Sequence, residues 1–394
     1  MKKNFINIVS KCLSVVCVAA ACLMPSCSMD EENLDVTPAT PVIKQFVVSV
    51  PQFLEKPAFV NDTTTSDILS TFPTDTTIYM NVVDIISYIG SVNQYVYNSL
   101  VEINRSNDKT QNWISFTEPI LGAYTSPGDS RHKQWQLDSN AVREGVHWDY
   151  HLLISDFVEN EDADLRPALE LFYNVDFTKG YMVFSPSDFD RIRFPEKRFG
   201  SNVKCEIEFI RGTDKVINKC HLSGLTYKAH ASNINYVGNI TLTAEQSGTN
   251  IINYSGIADF PYIWFDSPEN KGYSLNFAGS ADASLNVAAF FAGLTKNSDE
   301  SVSMRKLIVD NSAGTFLSNI YSLWLQNVDN AEQLPQEFEA FANPGFFIEH
   351  DYKGCGKSSN NDVVAVTTRA QALIDQQSSV SPYQNSIYQV EWSK

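Results

Sequence analysis

Positive charge is scarce in this chain. Its 394 residues hold 29 lysines and arginines against 46 aspartates and glutamates, for a net charge of −17. Such a surface repels nucleic acid and anionic lipid headgroups, and no basic stripe reverses the balance locally, so nucleic acid is excluded as a partner. No run of about 20 apolar residues is present, which excludes a helical membrane span. Catalytic signatures are missing too: there is no Gly-x-Ser-x-Gly elbow, no His-Glu-x-x-His and no Cys-x-x-Cys. Nothing in the sequence supports an enzyme, and no cofactor motif stands in for one.

Apolar residues are plentiful, at 43%, and 47 of the residues are aromatic, enough to bury a sizeable core and to exclude disorder over most of the chain. The seven cysteines are unevenly placed, with four in the first 27 residues. Lys2, Lys3 and Lys11 make a basic start, Cys12 to Met24 an apolar run, and Cys27-Ser28-Met29-Asp30-Glu31-Glu32 follows. A charged start, a short apolar run and a small-residue cut site describe a secretory signal. Ser26-Cys27 and the acidic run after it resemble the lipidation site and export signal of Bacteroidetes outer-membrane surface lipoproteins. The resemblance is confined to these 32 residues, and Met24 stands where such sites usually have Leu. It implies residues 1–26 as a signal peptide, Cys27 as the acylated (palmitate-bearing) first mature residue, and residues 27–41 as an acidic tether. Cys22 is the rival acceptor. Localisation follows as the outer membrane, lipid-anchored and exposed at the cell surface. Losing Lys2, Lys3 and Lys11 would take the mature net charge to −20.

Three cysteines remain in the body: Cys205, Cys220 and Cys355. A hairpin turning on Gly212-Thr213 in a type II′ turn would set Cys205 directly opposite Cys220. The two are then either a disulfide, which an exported protein can keep, or two buried thiols. Cys355 has no evident partner.

The rest of the chain reads as α+β. Val42 to Val50 is a candidate first strand, and the Asn61 to Thr77 segment is a loop in which Asp62-Thr63-Thr64 and Asp75-Thr76-Thr77 resemble short O-glycosylation sites. Apolar residues at spacings of three and four predict a core helix over 81–103. Alternation then predicts strands at Val146 to Ile154, Leu169 to Phe177, Tyr181 to Phe184, across the Cys205 hairpin, and at Leu225 to Ala229, Ile234 to Thr243, Asn250 to Ala258 and Tyr262 to Phe265. Short spacings without intervening helices imply a mainly antiparallel meander sheet, as a curved sheet, sandwich or barrel, over 42–266. Residues 267–394 read as a mixed α+β region, separate or packed on the same domain. Helices are expected at Ser284 to Leu294, Thr315 to Val328 and Thr367 to Gln377, with a returning strand at Ser386 to Trp392.

Few residues offer chemistry. His147, Asp149 and His151 alternate on one strand face and are the one weak metal-ligand candidate; the polar face of an amphipathic strand explains them better. The acidic run Glu159 to Asp164 could hold calcium but reads as a solvated loop. Gly354-Cys355-Gly356-Lys357-Ser358 lacks the first glycine of a phosphate loop and reads as a turn. Trp113, Trp135, Trp264 and Trp324 could stack on a sugar, although core packing is the commoner use of tryptophan. The sequence thus points to a non-catalytic surface lipoprotein that binds an extracellular ligand, with a glycan among the candidates, or joins an outer-membrane assembly. The alternatives are a carrier of an apolar molecule in a curved sheet and a hydrolase with an unrecognised site.

Overall fold

The computed structural model describes residues 44–55, 78–106, 120–125, 132–156, 166–176, 178–190, 204–223, 239–262, 271–296, 341, 343–376 and 392. Thirteen strands form one antiparallel sheet in which each strand pairs with its neighbours in sequence, β1 through β13. They are β1 Ile120–Thr125, β2 His132–Arg143, β3 Val146–Asp156, β4 Arg166–Tyr173, β5 Lys179–Phe184, β6 Lys204–Arg211 and β7 Lys215–Ser223, followed by β8 Asn239–Ser247, β9 Ile251–Tyr262, β10 Lys271–Asp282, β11 Val287–Lys296, β12 Gly345–Ile348 and β13 Asp351–Cys355. The sheet is curved and open: among the described residues β1 and β13 do not pair. Helices are α1 Ile78–Ser106, the single turn α2 Pro186–Phe189, and α3 Asn361–Gln376. The expected α+β, β-rich meander is the observed fold.

Helix α1 covers the expected 81–103 and extends it by three residues at each end. At 29 residues it is about 44 Å long. It is buried almost all round, as a helix inside a core must be: Val82, Ile85, Ile86, Ile89, Val92, Val96 and Leu100 are in the core, and so are Val83 and Tyr88 on the other side. A narrow polar stripe remains, where Gln94 donates to Asn98 at 3.0 Å. The helix shares one continuous cluster with the inward side chains of the sheet, Trp135, Leu152, Leu171, Ile207, Phe209, Leu222, Leu242, Tyr254, Phe277 and Phe290 among them. The concave side is therefore filled by the chain's own helix.

Residues 44–55 are not the first strand that Val42 to Val50 suggested; Pro51 ends an irregular segment that passes into a 3-10 turn at Gln52–Leu54. Besides its own turn bonds, it is held by side chains of the sheet. Asn218 donates to the Gln45 carbonyl at 2.6 Å and Tyr254 to that of Ser49 at 2.6 Å. Phe46 packs edge-on against Phe209, 4.8 Å between ring centres. Gly180 leaves room for both rings, since a Cβ there would come within 2.3 Å of Phe209 and 2.6 Å of Phe46.

One further expectation is corrected. Ser284 to Leu294 is not a helix: Val287–Lys296 is β11, paired with β10 from Asp282↔Val287 to Tyr273↔Lys296. Within 267–394, β10 to β13 continue the same sheet. The third helix expectation holds in place but begins earlier, at Asn361. Asn360 caps it, its Oδ1 accepting the backbone N–H groups of Asp362 and Val363 at 2.8 and 3.3 Å. The Thr315 to Val328 helix, the Leu225 to Ala229 strand and the loop with Asp62 and Asp75 lie outside the described residues, as does the Ser386 to Trp392 strand except for Trp392.

The hairpin of Cys205 and Cys220 exists, in another register. Gly212 donates to the Lys215 carbonyl at 2.8 Å, so the turn residues are Thr213-Asp214 and not Gly212-Thr213. That shift of two sets Cys205 against Leu222 and Cys220 against Ile207. Because the side-chain period is two, both thiols still face the core, now diagonally. They are free and buried. Burial pushes the Cys205 thiol well up, and that of Cys220 to about 12, partly offset by a hydrogen bond from Asn93. Such thiols are inert.

Candidate binding groove on the outer face

Alternation gives β6 to β8 a polar outer face, continued on β5 and β4 by Tyr181, Val183 and Phe172. Outward residues pair across the strands as Phe172↔Tyr181↔Glu208↔Lys219↔Thr243, with Val183↔Glu206↔His221↔Thr241 in the next row. Glu208 and Lys219 form an ion pair at 3.2 Å.

The tip of the β2–β3 hairpin lies over this face. Glu144 (φ 51°) and Gly145 (φ 77°) make its turn, both in the left-handed region that a type I′ turn requires. Asn140, also left-handed at φ 56°, interrupts β2 just before the tip. Pairing of β3 with β4 stops at Tyr150↔Tyr173, and the hairpin beyond it is free to turn. The Arg143 guanidinium then sits 4.4 Å above the Tyr181 ring and 5.6 Å above Phe172. It donates to the Tyr181 hydroxyl at 3.0 Å and lies 3.6 Å from Glu170, a carboxylate only 2% exposed. Trp148 packs on Phe172 at 6.1 Å, and the Lys179 ammonium covers its ring at 4.8 Å. Cation–π contacts of this kind strengthen when desolvated.

Between tip and sheet runs a groove of about 470 Å³, within the usual range of ligand pockets. Arg143, Glu144, Val146 and Trp148 form one wall; Tyr181, Glu206, Glu208, Lys219, His221, Thr241 and Thr243 form the floor. Tyr181 donates to Glu206 Oε1 while accepting from Arg143, which fixes both groups. His221 lies 4.0 Å from Glu206. Burial pushes its pKa down, against opposing effects of Glu206 and a bond with Asn239. A neutral imidazole offers one donor and one acceptor. The groove thus presents carboxylate acceptors, an ammonium donor, hydroxyls and an imidazole set in a lining that is otherwise apolar, with Val146, Trp148 and Leu242 among it.

The residues singled out in the sequence fare differently. His151 stacks on Phe172 at 4.3 Å and lies 3.4 Å from Glu170 and 3.8 Å from Asp138. Asp149 instead accepts the Val175 N–H at 2.8 Å, fastening the β4–β5 turn, and His147 is exposed on the tip. The three do not converge, and no group of metal-ligating side chains gathers among the described residues. Trp135 is buried in the core; Trp113, Trp264, Trp324 and the run Glu159 to Asp164 lie outside the described residues. The expected glycine turn is instead the end of a strand: Gly354 pairs with Phe346 inside β13 and Gly356 follows it, both at positive φ. Cys27, on which the anchor rests, also lies outside the described residues. Sequence reasoning missed Arg143, Tyr181, Glu206, Glu208, Lys219 and His221. Their alternation is visible, but it looks the same on any solvated strand face until a hairpin folds over it.

Comparison with known proteins adds no relative: no family model matches the chain, and neither a curated protein nor a solved structure matches it.

Proposed function

We propose that this chain is a lipid-anchored protein of the bacterial cell surface, held in the outer membrane through Cys27, and that it binds a hydroxyl-rich extracellular ligand of the glycan class in the groove beneath the β2–β3 tip. The observation that carries the reading is the groove's lining, in which Glu206, Glu208, Lys219, His221, Thr241 and Thr243 supply donors and acceptors side by side. Neutral saccharides present the same mixture, and such hydrogen-bonding sites discriminate strongly against ligands that leave their polar groups unpaired. Aromatic stacking contributes little, since Arg143 and Lys179 already cover Tyr181 and Trp148. The carrier reading is weaker because α1 occupies the concave side where an apolar cargo would sit. An outer-membrane protein remains the second class of partner.

Two experiments test the parts separately. Metabolic acyl labelling in the native host should mark the wild-type chain and not Cys27→Ala; persistent label would move the anchor to Cys22 or remove it. An array of extracellular polysaccharides probed with the full chain should give hits that Glu206→Gln and Lys219→Met weaken by about tenfold each, the loss of one charge-assisted hydrogen bond. Hits indifferent to both substitutions would place binding elsewhere.

A further inference from the structure

The groove beneath the β2–β3 tip carries unequal charge. In its lining the carboxylates of Glu144, Glu206 and Glu208 meet the cations of Arg143 and Lys219. Both cations are already engaged. Lys219 pairs with Glu208 at 3.2 Å, and Arg143 lies 3.6 Å from the buried Glu170 and 3.7 Å from Glu144.

Glu206 is the carboxylate left over. Among the described residues no lysine or arginine pairs with it: Tyr181 donates to its Oε1, and its Oε2 lies 4.0 Å from Nδ1 of His221. Arg143 reaches it only through the Tyr181 hydroxyl. Burial keeps His221 towards its neutral form, so the imidazole does not balance the charge. The Glu206 side chain is 17% exposed, open to the groove yet stripped of most of its water. A carboxylate in that state gains most from a donor that is itself charged. Beside it the floor offers the Thr241 and Thr243 hydroxyls, and Val146, Trp148 and Leu242 supply apolar surface. An amino-substituted sugar ring presents that combination in reverse: an ammonium, hydroxyls and C–H faces. We infer that the groove selects a saccharide bearing a free amino group, with the ammonium on Glu206 and neighbouring hydroxyls on Thr241 and Thr243. The inference rests on the reading of this groove as the glycan site. The chain's net charge of −17 attracts the same cationic ligand from a distance, an effect that salt screens and that does not depend on Glu206.

The test titrates matched saccharides into the full chain, glucosamine and galactosamine oligomers against their N-acetylated counterparts, at physiological and at raised ionic strength. The amino form should bind about tenfold tighter than the acetylated one, the worth of one charge-assisted hydrogen bond. Glu206→Gln, which keeps the shape of the side chain, should bring that ratio to about one. Amino and acetylated forms that bind the wild type alike, with Lys219→Met weakening both, would overturn the inference and leave the glycan reading standing. A preference that survives Glu206→Gln, or that raised salt abolishes, would overturn it too, since the acidic surface alone would then account for it. Binding of neither form, together with no hit on the polysaccharide array, would remove the glycan reading and this inference with it.

Discussion

Strands β6 to β8 and strands β10 to β11 belong to one sheet and meet one inner core, yet their sequences obey different rules. On β6, Cys205, Ile207 and Phe209 are buried while Glu206 and Glu208 are half-buried on the outer face, a plain alternation. On β10 and β11 the alternation vanishes: Ser274 through Ala281 and Val287 through Gly293 are buried without a break. The cause is α3, which packs on the outer face of β9 to β11. Val363 and Val366 from the helix meet Val287, Ala289 and Phe346 in a second, smaller core. Arg369 reaches over the sheet to donate to Ser280 at 3.0 Å and lies 3.6 Å from Asp282. A strand covered on both faces needs apolar or small residues at every position. The uncovered strands keep their polar face, and there the groove forms.

This contrast can be broken in order of expected effect. Ala289→Lys places a charge beneath α3, where nothing pairs it, and should cost more than about 4 kcal/mol or prevent folding. Thr241→Lys, on the uncovered face, should stay within about 0.5 kcal/mol; denaturant unfolding of the two variants measures the difference, and equal losses would refute the two-sided burial. Truncating the seam with Val363→Ala/Val366→Ala should cost roughly 2–4 kcal/mol and leave glycan binding unchanged, because the groove lies on the other part of the sheet. Gly256→Ala sits between them: its Cβ would come within 2.3 Å of the Thr241 carbonyl and 2.5 Å of the Phe277 ring. About 1–3 kcal/mol of overpacking is expected.

The smallest effect is a pH dependence on the uncovered face. Burial holds the His221 pKa below its ordinary value, so the unfolded chain takes up a proton that the folded chain refuses. Stability from this group is intact above about pH 6.5 and falls as pH drops through the unfolded value, levelling off below the depressed folded one. His221→Asn should flatten that part of a melting-temperature profile taken between about pH 5 and 7; an unchanged slope would show that other groups set it.

The same contrast explains what the sequence allowed. Helix α1 is readable because its apolar residues recur with helical spacing, and β3 and β6 to β9 because half-burial writes a period of two. Strands β10 and β11 were read as helix or missed, since Val287-Ala288-Ala289-Phe290-Phe291-Ala292 carries no period when both faces are covered. The Cys205–Cys220 register was off by two because the true turn, Thr213-Asp214, offers no glycine signal and Gly212 beside it does. For the groove, only the floor was within reach, as polar alternation. Its wall depends on Asn140 adopting positive φ and on Arg143 crossing to Tyr181, long-range events that no local pattern records.

The central claim is that the groove beneath the β2–β3 tip holds the ligand. It is tested most directly by titrating a polysaccharide identified on the array into the full chain, with calorimetry on the wild type, Tyr181→Phe and Val363→Ala/Val366→Ala. The account predicts that Tyr181→Phe weakens binding by about tenfold through its lost contacts to Arg143 and Glu206, while the α3 variant binds as the wild type does. Equal affinity for Tyr181→Phe and the wild type, or a loss confined to the α3 variant, would contradict it.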